Sequence, residues 1–232
     1  MFEYIVIGVL IVIIPIACLY MYEKGKKEGA KSFFELIANF GFQNKVRTFK
    51  ALNREVPKGG IVFVGDSITQ DYNVYEAFPG RIVYNRGIGG DTTEGLLKRM
   101  DVSIHELKPS IVVLLIGTND FALLKTTPEQ IFNRIRRIVL EIKVAHPKAK
   151  IILQSVYPVN ETIDPKTVLP RTNPLIDQLN DYLKTIEGIT YLDLSSKLKD
   201  QEGRFQKDYT LEGLHVSPEG YALVTKEIST LL

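Results

Sequence analysis

The sequence predicts an α/β fold in which a five-stranded parallel sheet is covered by helices on both faces. Short apolar runs typical of buried strands alternate along the chain with helical patterns, which is the order of right-handed βαβ units. One run of six apolar residues, 111–116, is typical of a parallel strand that is buried on both faces. The length of 232 residues suits one large domain of this kind with a short addition.

The composition excludes several other classes of protein. The chain has 29 basic and 27 acidic residues, whereas nucleic-acid binding needs a clustered excess of positive charge. Its single cysteine, Cys18, cannot form an intrachain disulfide, and its three histidines show no spacing typical of a zinc site. We therefore expect no nucleic-acid partner and no metal ion, and the sequence leaves the oligomeric state open.

An uncharged, largely apolar run at residues 4–22 is about as long as a helix that spans a bilayer. A cleaved signal peptide is the alternative, but no basic residue precedes the run and no small-residue cleavage site comes after it. We predict a single-pass transmembrane helix within residues 1–23, in contact with the membrane through residues 4–22. Because lysines come directly after the run, the positive-inside rule favours a cytoplasmic domain, with the extracytoplasmic side as the alternative.

Residues 24–58 are predicted to form a juxtamembrane helical segment, because large apolar side chains recur there at roughly helical spacing. The segment is interpreted either as an amphipathic helix lying on lipid or as a helix packed on the next domain. We favour packing for the end that contains Phe49. The turn-forming sequence Pro57-Lys58-Gly59-Gly60 then leads into the main domain, predicted at residues 59–232.

The main domain is predicted to contain five strands, at residues 61–64, 81–85, 111–116, 150–156 and 189–194. Helices are predicted after a cap at Asp91 or Thr92, over Pro128–Ala145, over residues 173–186, near Ser195, and from Ser217-Pro218 onward.

The first strand delivers a serine to the edge of the sheet. It ends in Gly65-Asp66-Ser67, so Ser67 lies just past its carboxyl end, where open α/β sheets bind ligands. A serine at that edge is a candidate nucleophile if a base can reach it. The alternative interpretation is an ordinary Gly-Asp-Ser turn that caps a helix.

Only one histidine is predicted to face Ser67. His105 and His146 come just before the third and fourth strands, and they should therefore lie at the opposite, amino edge of the sheet. His215 comes after the fifth strand, in the loop that leads to the last helix. It is the candidate base.

Three more groups are predicted at the same edge. The Asn119 amide comes after the third strand and the Gly90 backbone N–H after the second, and both can donate hydrogen bonds to an oxyanion. Glu212, three residues before His215, can hold the imidazole in one tautomer. Each has an ordinary alternative: a turn cap for Asn119, loop geometry for Gly90 and a solvated carboxylate for Glu212.

Four motifs in this order resemble the successive blocks of the SGNH/GDSL hydrolases, over about residues 61–232. The blocks are Gly65-Asp66-Ser67-Ile68, Asn85-Arg86-Gly87-Ile88-Gly89-Gly90-Asp91, Gly117-Thr118-Asn119-Asp120 and Gly213-Leu214-His215. The resemblance implies a three-layer α/β/α sandwich with flavodoxin-like strand order. It also implies Ser67 as nucleophile, an oxyanion hole of Ser67, Gly90 and Asn119, and His215 as base.

The sequence departs from the family at Glu212, where the family usually has aspartate. Glu212 remains the candidate third member of a triad. Asp208 and a backbone carbonyl are the alternatives.

The resemblance implies a serine ester hydrolase that works through an acyl-enzyme and needs no metal or organic cofactor. An O-acetylated carbohydrate or another small acyl ester is the favoured substrate. A lipid ester such as a lysophospholipid, or a thioester, is the alternative, and transfer of the acyl group to an alcohol is also compatible. A non-catalytic module that binds an acylated ligand is the alternative of another class. Tyr157 and Arg171, after the fourth strand, are expected to contact the substrate.

Overall fold

A computed structural model describes the backbone of residues 2–232 and the side chains of residues 21–26, 28, 29, 32, 33 and 36–232. The chain divides into two compact units, Met1–Gln43 and Asn44–Leu232. Helix α1, Phe2–Leu52, contributes its last residues to the second unit.

The predicted transmembrane helix at residues 4–22 lies mostly outside the side chains that the structure describes. In the described part of the chain, no helix has both the length and the apolar character needed to cross a membrane. The side of the membrane and the lipid contact of the juxtamembrane segment stay predictions.

The second unit is built on a five-stranded sheet in which all the strand pairs are parallel. Its strands are β1 (Ile61–Gly65), β2 (Val83–Gly87), β3 (Ile111–Leu115), β4 (Lys150–Gln154) and β5 (Thr190–Leu192). They lie in the order β2-β1-β3-β4-β5, which is the predicted flavodoxin-like order. The order reverses between β1 and β3, and ligands bind at the carboxyl ends of strands at such a switch point.

Helices cover both faces of the sheet. They are α2 (Ser67–Gln70), α3 (Val74–Ala77), α4 (Thr93–Lys98), α5 (Met100–Ser103), α6 (Pro128–Ala145), α7 (Pro165–Val168), α8 (Asn173–Leu183), α9 (Ser195–Leu198) and α10 (Pro218–Ser229). Short 3-10 turns occur at His105–Leu107 and Lys207–Tyr209, and a π-helical turn occurs at Asp120–Leu124.

The core has two halves because successive strand residues point to opposite faces. Val62 and Val64 of β1 pack in one apolar cluster with side chains from α4, α5, α6 and α8. Ile61 and Phe63 pack in the other with side chains from α2, α3, α9 and α10. The arrangement is a three-layer α/β/α sandwich, as predicted.

The second strand begins and ends two residues later than the sequence predicts. Ile82 is half exposed, whereas the polar residues Asn85 and Arg86 lie in the strand and are largely buried. The Asn85 amide satisfies its donors with the carbonyls of Thr69 at 2.7 Å and Tyr72 at 2.9 Å. A pattern of apolar residues cannot reveal a strand whose buried polar groups find partners elsewhere in the fold.

The end of α1 packs on β2. Phe49 is buried, and the Arg86 guanidinium lies 4.7 Å from the centre of its ring. Asn53, just beyond the helix, accepts a hydrogen bond at Oδ1 from Arg86 Nη2 at 2.8 Å. Packing of the Phe49 end, rather than contact with lipid, is what the structure shows for these residues.

Candidate active site

Ser67 and His215 meet at the carboxyl edge of the sheet, although they are far apart in the sequence. Ser67 Oγ lies 3.0 Å from His215 Nε2. Ser67 is the first residue of α2, two residues after the end of β1, and His215 lies on the loop before α10. The His215 side chain is 33% exposed, so a ligand can reach it from solvent.

The turn that presents Ser67 depends on its two predecessors. Asp66 caps α2 by accepting a hydrogen bond at Oδ1 from the Ile68 N–H at 3.0 Å. A side chain at Gly65 would collide with the carbonyl oxygen of Leu115, so only glycine lets β1 approach β3 this closely. Asp66 is fully buried, and this burial raises the pKa of its carboxyl group to about 7.

Glu212 contacts the other nitrogen of the His215 ring. Its Oε1 pairs with His215 Nδ1 and also accepts a hydrogen bond from the His215 backbone N–H at 3.2 Å. A proton on Nδ1 leaves Nε2 free to accept the Ser67 hydroxyl hydrogen. Asp208, the alternative orienting acid, is exposed. Its backbone carbonyl oxygen accepts a hydrogen bond from Ser217 Oγ at 2.6 Å.

The loop that carries this pair is closed on itself. Thr210 Oγ1 donates to the His215 carbonyl at 2.7 Å, and the Leu211 N–H donates to the same oxygen at 2.9 Å. Gly213 has φ +96°, and a side chain there would meet the carbonyl oxygen of Asn160. Glycine between Glu212 and His215 is therefore a steric requirement of the turn.

Three N–H groups are candidates for an oxyanion hole. Asn119 comes after β3 and uses one hydrogen of Nδ2 for the Asp91 carbonyl at 3.0 Å, which leaves the second hydrogen available. Gly90 is exposed and has φ +72°. Among the described residues, the backbone N–H groups of Gly90 and Ser67 make no internal hydrogen bond.

A buried ion pair, absent from the sequence-based prediction, links the loops around this edge. Arg99 Nε lies 2.7 Å from Asp91 Oδ2, and both side chains are almost completely buried. Arg99 also donates to the carbonyls of Gly65 and Arg86, both at 2.8 Å, where β1 and β2 end. Burial raises the pKa of Asp91, against the opposing effect of the Arg99 charge. Sequence offers no signal for this pair, because its members become partners only through the fold.

Tyr157 and Arg171, the expected substrate contacts, both have side chains that are almost completely buried. The Tyr157 side chain is buried, and its hydroxyl donates to Gln154 Oε1 at 2.5 Å. Arg171 is also buried and donates to Asn119 Oδ1 at 2.8 Å. The segment after β4 folds inward at these two residues, because each polar group finds an acceptor inside the protein.

His105 and His146 lie at the opposite edge, next to the starts of β3 and β4. Their rings contact each other, with His105 Nδ1 3.0 Å from His146 Nε2. Within the described residues, no group of three or more His, Cys, Asp or Glu side chains is arranged to hold a metal ion.

A serine–histidine pair at the carboxyl edge of a flavodoxin-like sheet is an arrangement in which the serine can act as a nucleophile and the histidine as its base. The sequence model of the GDSL-like lipase/acylhydrolase family matches residues 63–223. The chain belongs to this family and is an ester hydrolase. A non-catalytic binding module is thereby set aside.

Similar proteins share most of the domain. Platelet-activating factor acetylhydrolase IB subunit alpha2 of Homo sapiens is 30% identical over 178 residues, which cover 74% of this chain and 75% of that protein. A structure from Streptococcus pneumonia, described as a platelet activating factor, is 27% identical with a TM-score of 0.82, and it covers 88% of this chain and 98% of its own. A Bacteroides fragilis structure described as an acylhydrolase is also 27% identical, with a TM-score of 0.70, and it covers 80% and 94% of the two chains.

Proposed function

We propose that this hydrolase cleaves esters of small acyl groups, acetyl above all, through an acyl-enzyme on Ser67. The observation that carries the proposal is the 3.0 Å contact between Ser67 Oγ and His215 Nε2, with Glu212 on the other ring nitrogen. These contacts connect a nucleophile to a general base, and the base to an orienting carboxylate.

In the proposed mechanism, His215 Nε2 takes the Ser67 proton while Oγ attacks the carbonyl carbon of the ester. The resulting oxyanion accepts hydrogen bonds from the N–H groups of Ser67 and Gly90 and from Asn119 Nδ2. Collapse of the intermediate breaks the bond to the alcohol, which leaves with the proton that His215 holds. A water then gives a proton to His215 and attacks the carbonyl carbon of the acyl-enzyme. The bond from that carbon to Oγ breaks, His215 returns the proton to Ser67 Oγ, and the carboxylic acid leaves.

The preference for a small acyl group is supported by the relatives, since the similar mammalian proteins are acetylhydrolases by name. The candidates for the alcohol part of the ester are a carbohydrate and a lipid.

A long-chain lipid ester is the second candidate, and one groove favours it. The groove has a volume of about 620 Å³ and lies between the α2–α3 region and α10. Leu211 and Val216, which flank the Glu212–His215 turn, are among its lining residues, with Tyr72, Ala77 and Tyr221. An aliphatic chain that leaves the catalytic edge on that side would find an apolar wall.

The test is hydrolysis of p-nitrophenyl esters from acetyl to octanoyl by the full chain and by its Ser67→Ala variant. We expect the highest kcat/KM for the acetyl ester. The Ser67→Ala variant should keep only the small residual turnover that substrate binding and the oxyanion hole provide without a nucleophile. Near-normal turnover by Ser67→Ala would overturn the acyl-enzyme mechanism. Faster hydrolysis of the octanoyl ester would favour the lipid candidate.

A further inference from the structure

We propose that Arg171 is a positioning residue for the oxyanion hole. It holds the Asn119 side-chain amide so that the free N–H faces the reacting carbonyl. This inference rests on the proposed function, because Asn119 can act on an oxyanion only if one forms at Ser67. Arg171 itself touches no reacting atom.

Four hydrogen bonds fix the Arg171 guanidinium inside the protein. Nη2 donates to Asn119 Oδ1 at 2.8 Å, and Nε donates to the Thr118 carbonyl at 3.0 Å. Nη1 donates to the carbonyls of Thr167 at 3.1 Å and Val168 at 3.2 Å. The residue is 6% exposed, and among the described residues it has no ion-pair partner. Burying a cation whose hydrogen-bond acceptors are all neutral lowers the stability of the fold. This cost indicates that Arg171 is kept there for a functional role.

The hydrogen bond to Oδ1 decides which way the Asn119 amide faces. In the observed orientation, Oδ1 accepts from Arg171 and Nδ2 donates to the Asp91 carbonyl. A flipped amide would place an NH₂ group against the guanidinium and an oxygen against a carbonyl, so both contacts would become repulsive. Arg171 and the Asp91 carbonyl thus exclude the flip from opposite ends of the amide.

The positive charge has a second effect on the same group. A cation at Oδ1 withdraws electron density from the amide, and the remaining Nδ2 hydrogen becomes a stronger donor. The planar fork of arginine reaches two acceptors that are consecutive in the chain, the Thr118 carbonyl and Asn119 Oδ1. A lysine ammonium provides the charge without this two-point geometry.

The test compares Arg171→Met, Asn119→Ala and the double variant in steady-state ester hydrolysis. We expect Asn119→Ala to lower kcat by on the order of 100-fold, and Arg171→Met to lower kcat toward the same value with little change in KM. The double variant should lose no more than Asn119→Ala, because both changes remove one interaction. Arg171→Lys should fall between the wild type and Arg171→Met.

Arg86→Met is the matched control for loss of a buried arginine, since Arg86 contacts Phe49 and Asn53 rather than Asn119. It should lower the thermal midpoint and leave kcat near the wild-type value. If Arg171→Met does not fold, the same cycle with Arg171→Lys decides the question.

A normal kcat in Arg171→Met, or effects of Arg171 and Asn119 that multiply in the double variant, would overturn the positioning role. Loss of turnover in Ser67→Ala together with a normal Arg171→Met would refute this inference alone. Normal turnover in Ser67→Ala would instead refute the proposed function.

Discussion

Glu212 holds His215 at two points with a single carboxylate oxygen. Oε1 pairs with the ring nitrogen Nδ1 and accepts from the backbone N–H of the same histidine at 3.2 Å. We therefore expect Glu212→Gln to keep the fold and lower kcat substantially, because an amide can favour the wrong tautomer and removes the charge that stabilises the imidazolium. Steady-state kinetics with an acetyl ester, together with the thermal midpoint, would measure both effects.

Two further variants make the Glu212 experiment specific. Glu212→Asp shortens the side chain by one methylene but keeps the charge, so it should do less harm than Glu212→Gln. Asp208→Asn is the control, since the Asp208 side chain is exposed. A severe Asp208→Asn with a silent Glu212→Gln would identify Asp208 as the orienting acid. If neither variant changes kcat, Ser67 and His215 act as a dyad, with a backbone carbonyl in place of an orienting acid.

Asp66 is expected to make stability depend on pH in the direction opposite to most carboxylates. Burial raises its pKa from 3.8 to about 7, so between those values the native protein holds a proton that the unfolded chain releases. Its contribution to stability is complete below about pH 4 and is lost as the pH rises through about 7. Asp66→Asn keeps the capping oxygen without titrating, and this pH dependence should disappear.

Urea unfolding of the wild type and Asp66→Asn across pH 4 to 8 would test the prediction for Asp66. Asp208→Asn, at an exposed position, should leave the wild-type dependence in place. An equal pH dependence in the wild type and Asp66→Asn would show that Asp66 titrates as an ordinary carboxyl group.

Gly65 and Gly89 should respond differently to the same added methyl group. A Cβ at Gly65 would collide with the Leu115 carbonyl oxygen and with Thr69 Oγ1, whereas the nearest heavy atom to a Cβ at Gly89 lies 3.7 Å away. We expect Gly65→Ala to reduce the free energy of unfolding by about 1–3 kcal/mol, as overpacking usually does. Gly89→Ala should have little effect on urea unfolding, and equal losses would refute the packing account.

The fold is predictable from the sequence because the strands and helices follow from local patterns of apolar residues, and because all the strands run in the same direction. In a parallel sheet, the loops after the strands lie at one edge and the loops before the strands lie at the other. The positions of His105, His146 and His215 relative to the strands therefore predict which histidine meets Ser67. The close contact of Glu212 with His215 is also local, since only three positions separate them.

The remaining features of the site depend on contacts between distant segments. The sequence predicts that Arg171 contacts the substrate, because it lies in the segment after the fourth strand, at the active edge of the sheet. In the structure it is buried, because carbonyls from two segments and the Asn119 amide converge on it. The pairing of Asp91 with Arg99 depends on the fold in the same way, since only the closed loop brings the two side chains together.

The packing of α1 against β2 has a consequence for how molecules meet one another. β2 is an outer strand of the sheet, and a cleft of about 410 Å³ beside it is walled by Lys45, Thr48 and Phe49. An uncovered outer strand presents a row of unpaired backbone groups that can recruit a strand from another chain. Phe49 and Asn53 contact Arg86 of this strand, so we expect residues 44–53 to hinder edge-to-edge association. A chain that begins at residue 59, the predicted start of the domain, would lack residues 44–53 and should aggregate through β2.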